Sequence, residues 1–195
     1  MSSRSLPPVD LGPEIVQLLL PQRPPMLMVD RILGVDLASP LPRLHAVRHV
    51  SANEPSLTGH FPQLGLVPGV ITVEGLAQAA GLLGRLVVAA ARWDGDLLAE
   101  LAHLELGATL HPGFEQARGR TVTEWLGADA ALHVVGSTNI KLLRPIFPGC
   151  RLDHRVELTR SLGAAWWFTV STEVNGVLVA SGTLGASTVA ATWPP

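Results

Sequence analysis

The pattern of apolar and polar positions divides the chain into unlike stretches. In the longest apolar run, residues 67–91, Leu, Val, Ala and Gly fill all but a few positions; from Val70 it predicts one long helix, apolar on nearly every side. Such a helix needs burial over most of its surface. Beyond it the pattern turns to β-type. Residues 131–143, 151–161, 165–174 and 177–189 predict strands, and Asn175-Gly176 between the last two is a two-residue hairpin turn. Ahead of the long helix, residues 13–20 predict a short helix with Ile15, Val16, Leu18, Leu19 and Leu20 apolar, closed off by Pro21. Residues 28–35 and 44–50 predict two strands. Residues 51–69 hold Pro55, Gly59, Pro62, Gly65, Pro68 and Gly69, a density of turn residues that neither helix nor strand tolerates. Residues 94–130 read as an amphipathic piece at 96–106, a Gly/Pro loop at 107–119 and a further helix around 121–126. Residues 1–12 read as a flexible Pro/Ser-rich arm and 191–195 as a tail.

A few strands, one long apolar helix, then three or four antiparallel strands joined by short turns is the order of an α+β domain whose sheet wraps the helix. The 195 residues allow a single such domain over 13–190, with the insertion at 94–130 as extra material. Composition narrows the classes. Charged residues make up 15% and apolar residues 47%, which excludes a disordered chain. A net charge of −2 lacks the basic excess of a nucleic-acid-binding domain. Cys150, the single cysteine, excludes an intramolecular disulfide and any Cys-rich zinc site, and fits a reducing, cytoplasmic setting. The first residues, rich in proline and serine, do not read as a secretory signal. The 67–91 run approaches membrane-spanning length. Because Pro68, Glu74, Gln78 and Arg85 interrupt it, and charges within a span are costly, a buried helix is the better reading.

Chemistry concentrates in residues 53–78, NEPSLTGHFPQLGLVPGVITVEGLAQ. His60 lies in the constrained loop, where a side chain can be aimed at a cleft. Glu74 lies a turn into the apolar helix. Burial disfavours the charged carboxylate, so a buried Glu is suited to give up a proton, and a histidine near its ordinary pKa is suited to accept one. Gly69 and Val70 open the helix behind Pro68, and their N–H groups can donate to a carbonyl gaining negative charge. Gln78, four residues beyond Glu74, shares its face and can orient it. This set fits proton abstraction beside a polarised carbonyl, with a proton donor for the leaving group. It needs no metal and no nucleophile.

Three blocks in order, LLPQRPPMLMVDRI at 19–32, the NEP…GHFP…PGV…E…AQ block at 53–78 and KLLRPIFPG at 141–149, resemble the hotdog-fold (3R)-hydroxyacyl-acyl-carrier-protein dehydratases of bacterial fatty-acid synthesis. The resemblance covers roughly 13–93 and 131–190. It implies a hotdog fold, with an antiparallel sheet around one long central helix. It also implies a homodimer or higher homo-oligomer with continuous sheets, in which His60 faces Glu74 of the partner subunit. The implied activity is that of a hydro-lyase: reversible removal of water from a 3-hydroxyacyl thioester to give the trans-2-enoyl thioester, in fatty-acid or specialised lipid or polyketide synthesis. On this reading His60 takes the C2 proton, Glu74 protonates the departing C3 hydroxyl, and the Gly69 and Val70 amides stabilise the enolate. Sequence leaves open which group handles which proton. The reaction is redox-neutral, so no cofactor is implied. The implied partner is an acyl carrier protein, with Lys141, Arg144 and Arg151 as candidate docking cations for that acidic protein.

The chain departs from the family at Leu64-Gly65-Leu66 between HFP and PGV, at Gln22, and at Cys150 after Pro148-Gly149; these bear on tunnel shape and chain length. The 94–130 insertion is larger than the family connection, and reads as a lid, a docking surface or a surface excursion. Two other functions compete. A hotdog thioesterase would use a carboxylate to activate water and release free acid. A non-catalytic acyl-binding subunit would have a closed tunnel.

Overall fold

The computed structural model describes residues 6–110 and 132–189. At its centre, Pro68 ends the irregular loop with an extended backbone (φ −57°, ψ 132°) and the helix α2, Gly69–Ala90, starts at the next residue. Leu76, Ala79, Ala80, Leu82, Leu83, Leu86 and Ala89 of α2 are buried, so the apolar length that resembled a membrane span goes into a core.

Seven strands form one antiparallel sheet around α2: β1 (Pro8–Leu11), β2 (Arg31–Asp36), β3 (Arg43–His49), β4 (Leu132–Leu142), β5 (Arg151–Leu162), β6 (Ala165–Val174) and β7 (Val177–Val189). Their order across the sheet is β1-β2-β3-β5-β6-β7-β4. Along β6, Trp166, Phe168 and Val170 are buried while Trp167 is exposed, the alternation of a strand with one face on a core. Val156 and Leu158 of β5, Leu44 and Ala46 of β3, Ile32 of β2 and Leu184 of β7 join the same cluster. The β6–β7 turn is the one read from Asn175-Gly176. Both residues have positive φ, 51° and 76°, as a two-residue turn matching the strand twist requires. The hotdog architecture expected from the resemblance is therefore present.

Three boundaries differ from the sequence reading. Part of the supposed flexible arm is strand β1, which pairs with β2 (Pro8↔Gly34, Leu11↔Ile32) and buries Leu11 completely. Four residues are too few to show a period, and it is the otherwise open edge of β2 that gives them a partner. Residues 1–5, like the tail at 191–195, lie outside the described residues. The second difference is in β2, which starts at Arg31 rather than near residue 28, because the Met28 N–H is engaged by a side chain of α2. The third is in the insertion. Helix α3, Leu97–Leu110, runs through Gly107, where a loop was read, since one glycine costs a helix only about 1 kcal/mol. Asp96 caps it by accepting from the Ala99 N–H at 3.1 Å. Leu97 and Leu101 are buried as α3 packs on β1 and on α1, Pro13–Leu19. The described half of the insertion is thus part of the core at the β1 end of the sheet. The helix read around 121–126 lies outside the described residues.

Candidate active site

The loop between β3 and α2 is irregular in sequence yet held at both ends. At its start Arg48, nearly fully buried, donates from Nη2 to Glu54 Oε2 at 2.7 Å. A single 3-10 turn, Pro55–Leu57, then drops Leu57 into a second small core with Val50, Val67, Ile146, Leu152 and Val179. At its end the Val67 N–H donates to the Ile146 carbonyl at 2.9 Å, tying the loop to the β4–β5 connection. His60 projects from this anchored segment. Its Nδ1 lies 3.1 Å from the Leu66 carbonyl oxygen. A carbonyl only accepts, so Nδ1 carries a hydrogen, and in the neutral ring it is Nε2 that presents the lone pair a general base needs. The Phe61 ring stacks on the imidazole at 4.4 Å.

A cleft of about 280 Å³ opens beside His60, lined by Leu66, Val67, Gly69, Thr72 and the stretch from Leu142 to Ile146. Gly69 and Thr72 of α2 border it, whereas Val70, read with Gly69 as a donor, is exposed and is not among its lining residues; the N–H groups of the first turn precede the first helical hydrogen bonds. Ile71, the third residue, already donates to the Pro68 carbonyl at 3.0 Å.

Glu74 is half-buried on another face of α2, a direction set by the helical period: it lies two residues, about 200°, beyond Thr72. Within one chain it does not line the His60 cleft. Gln78 fixes it, as the shared face implied. Gln78 Nε2 donates to Glu74 Oε1 at 2.8 Å and to the Met26 carbonyl at 2.6 Å, while its Oε1 accepts from the Met28 N–H at 2.7 Å. A backbone carbonyl on one side and a backbone N–H on the other leave the buried amide only one orientation. The strand-like approach to β2 is therefore bonded to α2 instead of to the sheet, and the Glu74 carboxylate is positioned from behind.

Of the three candidate docking cations, Lys141 is exposed at the end of β4 and Arg144 is exposed and borders the cleft. Arg151 is bound to Asp153, through Nε to Oδ2 at 3.1 Å and Nη2 to Oδ1 at 2.9 Å, and His45 Nε2 reaches the same carboxylate at 2.8 Å. Its charge is largely matched by its own strand.

Several residues that shape the site were not singled out by sequence reasoning. Thr72 was an unremarked polar position three residues into α2 from Gly69, where helical spacing alone sets it on the same face. Arg48 and Glu54 required the loop's path to be known. His154, on β5, is fully buried; its Nδ1 shares a 2.8 Å hydrogen bond with Thr172 Oγ1. It lies against Gly75, next to Glu74, where an added Cβ would come within 2.9 Å of His154 Nε2. Burial, assisted by the nearby Arg48 charge, pushes the His154 pKa down to about 3. Burial also lowers the pKa of His45, against the opposing pull of Asp153, and raises that of the Cys150 thiol.

A family model of the FabA-like domain matches residues 20–96. The chain is 36% identical over 165 residues to a 3-hydroxyacyl-[acyl-carrier-protein] dehydratase FabZ of Anaeromyxobacter sp. (strain K), covering 85% of this chain and 82% of the relative. It is 31% identical over 160 residues to a FabZ of Nitrosomonas eutropha, covering 82% and 85%. Among solved structures, the dehydratase heterocomplex ApeI:P from Xenorhabdus doucetiae shares the fold, with a TM-score of 0.58 at 20% identity over 97% of this chain and 95% of that one. With a FabZ relative matched at that identity along most of both chains, the protein belongs to the family of 3-hydroxyacyl-[acyl-carrier-protein] dehydratases FabZ.

Proposed function

We propose that this chain is a hydro-lyase that removes water from 3-hydroxyacyl thioesters of an acyl carrier protein, in the cytoplasm and without a cofactor. One observation carries the reading. In a member of the FabZ family, a histidine with Nδ1 committed to a carbonyl and a carboxylate locked by a glutamine supply one base and one acid.

His60 Nε2 takes a proton from C2, and the electron pair left behind moves toward the thioester carbonyl. The N–H groups of Gly69 and Val70 receive the charge on that oxygen. As the C2–C3 double bond forms, the C3–O bond breaks and Glu74 delivers the proton that lets the hydroxyl leave as water. A trans-2-enoyl thioester and one water result. The reverse sequence hydrates the double bond.

Because His60 and Glu74 serve different faces of one chain, the site is completed by a second copy, each His60 working with Glu74 of the partner subunit. Two features support this. Phe61, Leu64, Val70, Leu142, Leu143 and Phe147 all stand exposed in the loop, the start of α2 and the β4–β5 connection, an apolar surface of the kind that marks an interface. Among the described residues the outer edge of β4 is also open, since β4 ends the sheet with β7 as its neighbour. Lys141 and Arg144 stand where they can steer the acidic carrier protein to the cleft.

The test uses two variants and their mixture. His60→Ala and Glu74→Gln each lower the dehydration rate by about 10²–10⁴. Refolded together, the two inactive variants recover activity, because half of the dimers are mixed and each mixed dimer holds one intact site, about a quarter of the parent's sites. A mixture that stays as inactive as its components refutes the shared site. Parent-level rates in both single variants refute the chemistry.

A further inference from the structure

Thr72 is the fourth residue of α2 and only 1% exposed. Its hydroxyl oxygen is buried without a hydrogen-bond partner, although Thr72 lines the His60 cleft. A threonine within a helix ordinarily bonds back to the carbonyl four residues earlier or turns to solvent. Thr72 Oγ1 does neither. Among the described residues lining this cleft it is the buried polar side-chain atom left unmatched. Gln78 on the same helix, by contrast, has its amide fully bonded. A hydroxyl held dry and unpaired costs stability, which leaves it a donor ready for a bound molecule.

Helix geometry says which atom it meets. Cα–Cβ bonds lean toward a helix's N-terminus, so the side chain of residue 72 covers the turn that begins at Gly69. Gly69 and Thr72 therefore border one region of the cleft that His60 also lines. Resting on the dehydratase reading, we propose that Thr72 is a catalytic residue whose hydroxyl donates to the thioester carbonyl oxygen alongside the Gly69 amide. The hydrogen bond strengthens as His60 removes the C2 proton and negative charge collects on that oxygen, so its contribution falls on the transition state more than on substrate binding. The hydroxyl keeps its own proton throughout: no covalent bond to Thr72 forms or breaks, and the water released carries the proton delivered by Glu74.

Thr72→Val deletes the hydroxyl and keeps the shape, Thr72→Ser keeps the hydroxyl, and each is assayed by formation of the enoyl product from a 3-hydroxyacyl N-acetylcysteamine thioester. For Thr72→Val, kcat falls about 100- to 1000-fold with KM close to the parent's, the loss expected for one oxyanion donor. Thr72→Ser stays within about threefold of the parent. The melting temperature of Thr72→Val equals or exceeds the parent's, since an unpaired polar group has left the interior. Loss of activity with retained or raised stability is an outcome that a merely structural role does not produce. Thr72→Ala, which also lacks the hydroxyl, gives the same kinetic readout if the valine variant does not fold. Parent-level kcat in Thr72→Val, a loss confined to KM, or a serine variant as slow as the valine one each overturns the proposal while leaving the dehydratase reading intact. A parent enzyme that leaves the thioester unchanged overturns both.

Discussion

His154 makes stability depend on pH in a way that can be worked out from its surroundings. The ring is fully buried between β5 and α2; Arg48 and His45 add positive charge nearby and Asp153 opposes them, and the folded pKa lies near 3 against 6.5 for an ordinary histidine. Folded protein therefore keeps the ring neutral down to about pH 3, while the unfolded chain takes up a proton as pH falls through 6.5. Between these values unfolding binds about one extra proton, and the His154 contribution is present above pH 6.5 and lost below it at about 1.4 kcal/mol per pH unit. From pH 7 to pH 5 the loss is about 2 kcal/mol. Urea unfolding at fixed protein concentration reads this as a drop in midpoint of about 1 M, for a slope of about 2 kcal/mol per molar. Other groups titrate in the same range, so the measurement is the difference between the parent and His154→Gln. Glutamine can still bond Thr172 but carries no titrating group. The variant's midpoint falls less steeply on acidification, and the gap between the two curves narrows by about 2 kcal/mol over that interval. Parallel curves would refute the buried, neutral assignment of His154.

Gln78→Leu removes three hydrogen bonds at once and leaves the Met28 N–H and Met26 carbonyl without their partner. A loss of about 2–4 kcal/mol is expected in thermal or urea unfolding, together with a fall in dehydration rate as Glu74 loses its brace. Gly75→Ala presses a methyl against His154 Nε2 and lowers stability by about 1–3 kcal/mol despite alanine's better helix propensity; a stabilised variant in the same melt would contradict the packing. Leu101→Ala tests whether α3 belongs to the core. Its side chain is fully buried, so a loss of about 2–5 kcal/mol is expected, and a change within the error of the melt would mean that the helix is detachable.

Much of this architecture can be read from the chain because local physics decides it. The apolar run behind Pro68, interrupted by Glu74, Gln78 and Arg85, favours a buried helix over a membrane span, and Asn175-Gly176 specifies a tight turn because both positions need positive φ. The β-type runs after residue 130 end within one residue of the strands, β6 and β7 at the very residues read. His60 and Glu74 also stand out in sequence, one in a loop too rich in Pro and Gly for regular structure, the other as a carboxylate on an apolar helix. So does the bond between Gln78 and Glu74, because four residues on a helix is one turn. What could not be read locally depends on contacts across the chain. Strand β1 exists because β2 has an edge to fill, and α3 is held to the core because α1 and β1 receive its Leu97 and Leu101. His60 Nδ1 has a fixed partner only because the loop returns the Leu66 carbonyl to it, and the loop returns because Leu57, Val67 and Ile146 share a small core. Arg151 looks like a surface cation until β5 sets Asp153 beside it, and Thr72 looks like one more helix position until β4 and its following loop close over it to form the cleft. The sequence by itself determined the elements and the types of reactive group, which follow from period, turn chemistry and side-chain identity. Only the tertiary structure decided which of those groups are neutral, paired or unmet, because burial and partners are properties of neighbours brought together from distant positions.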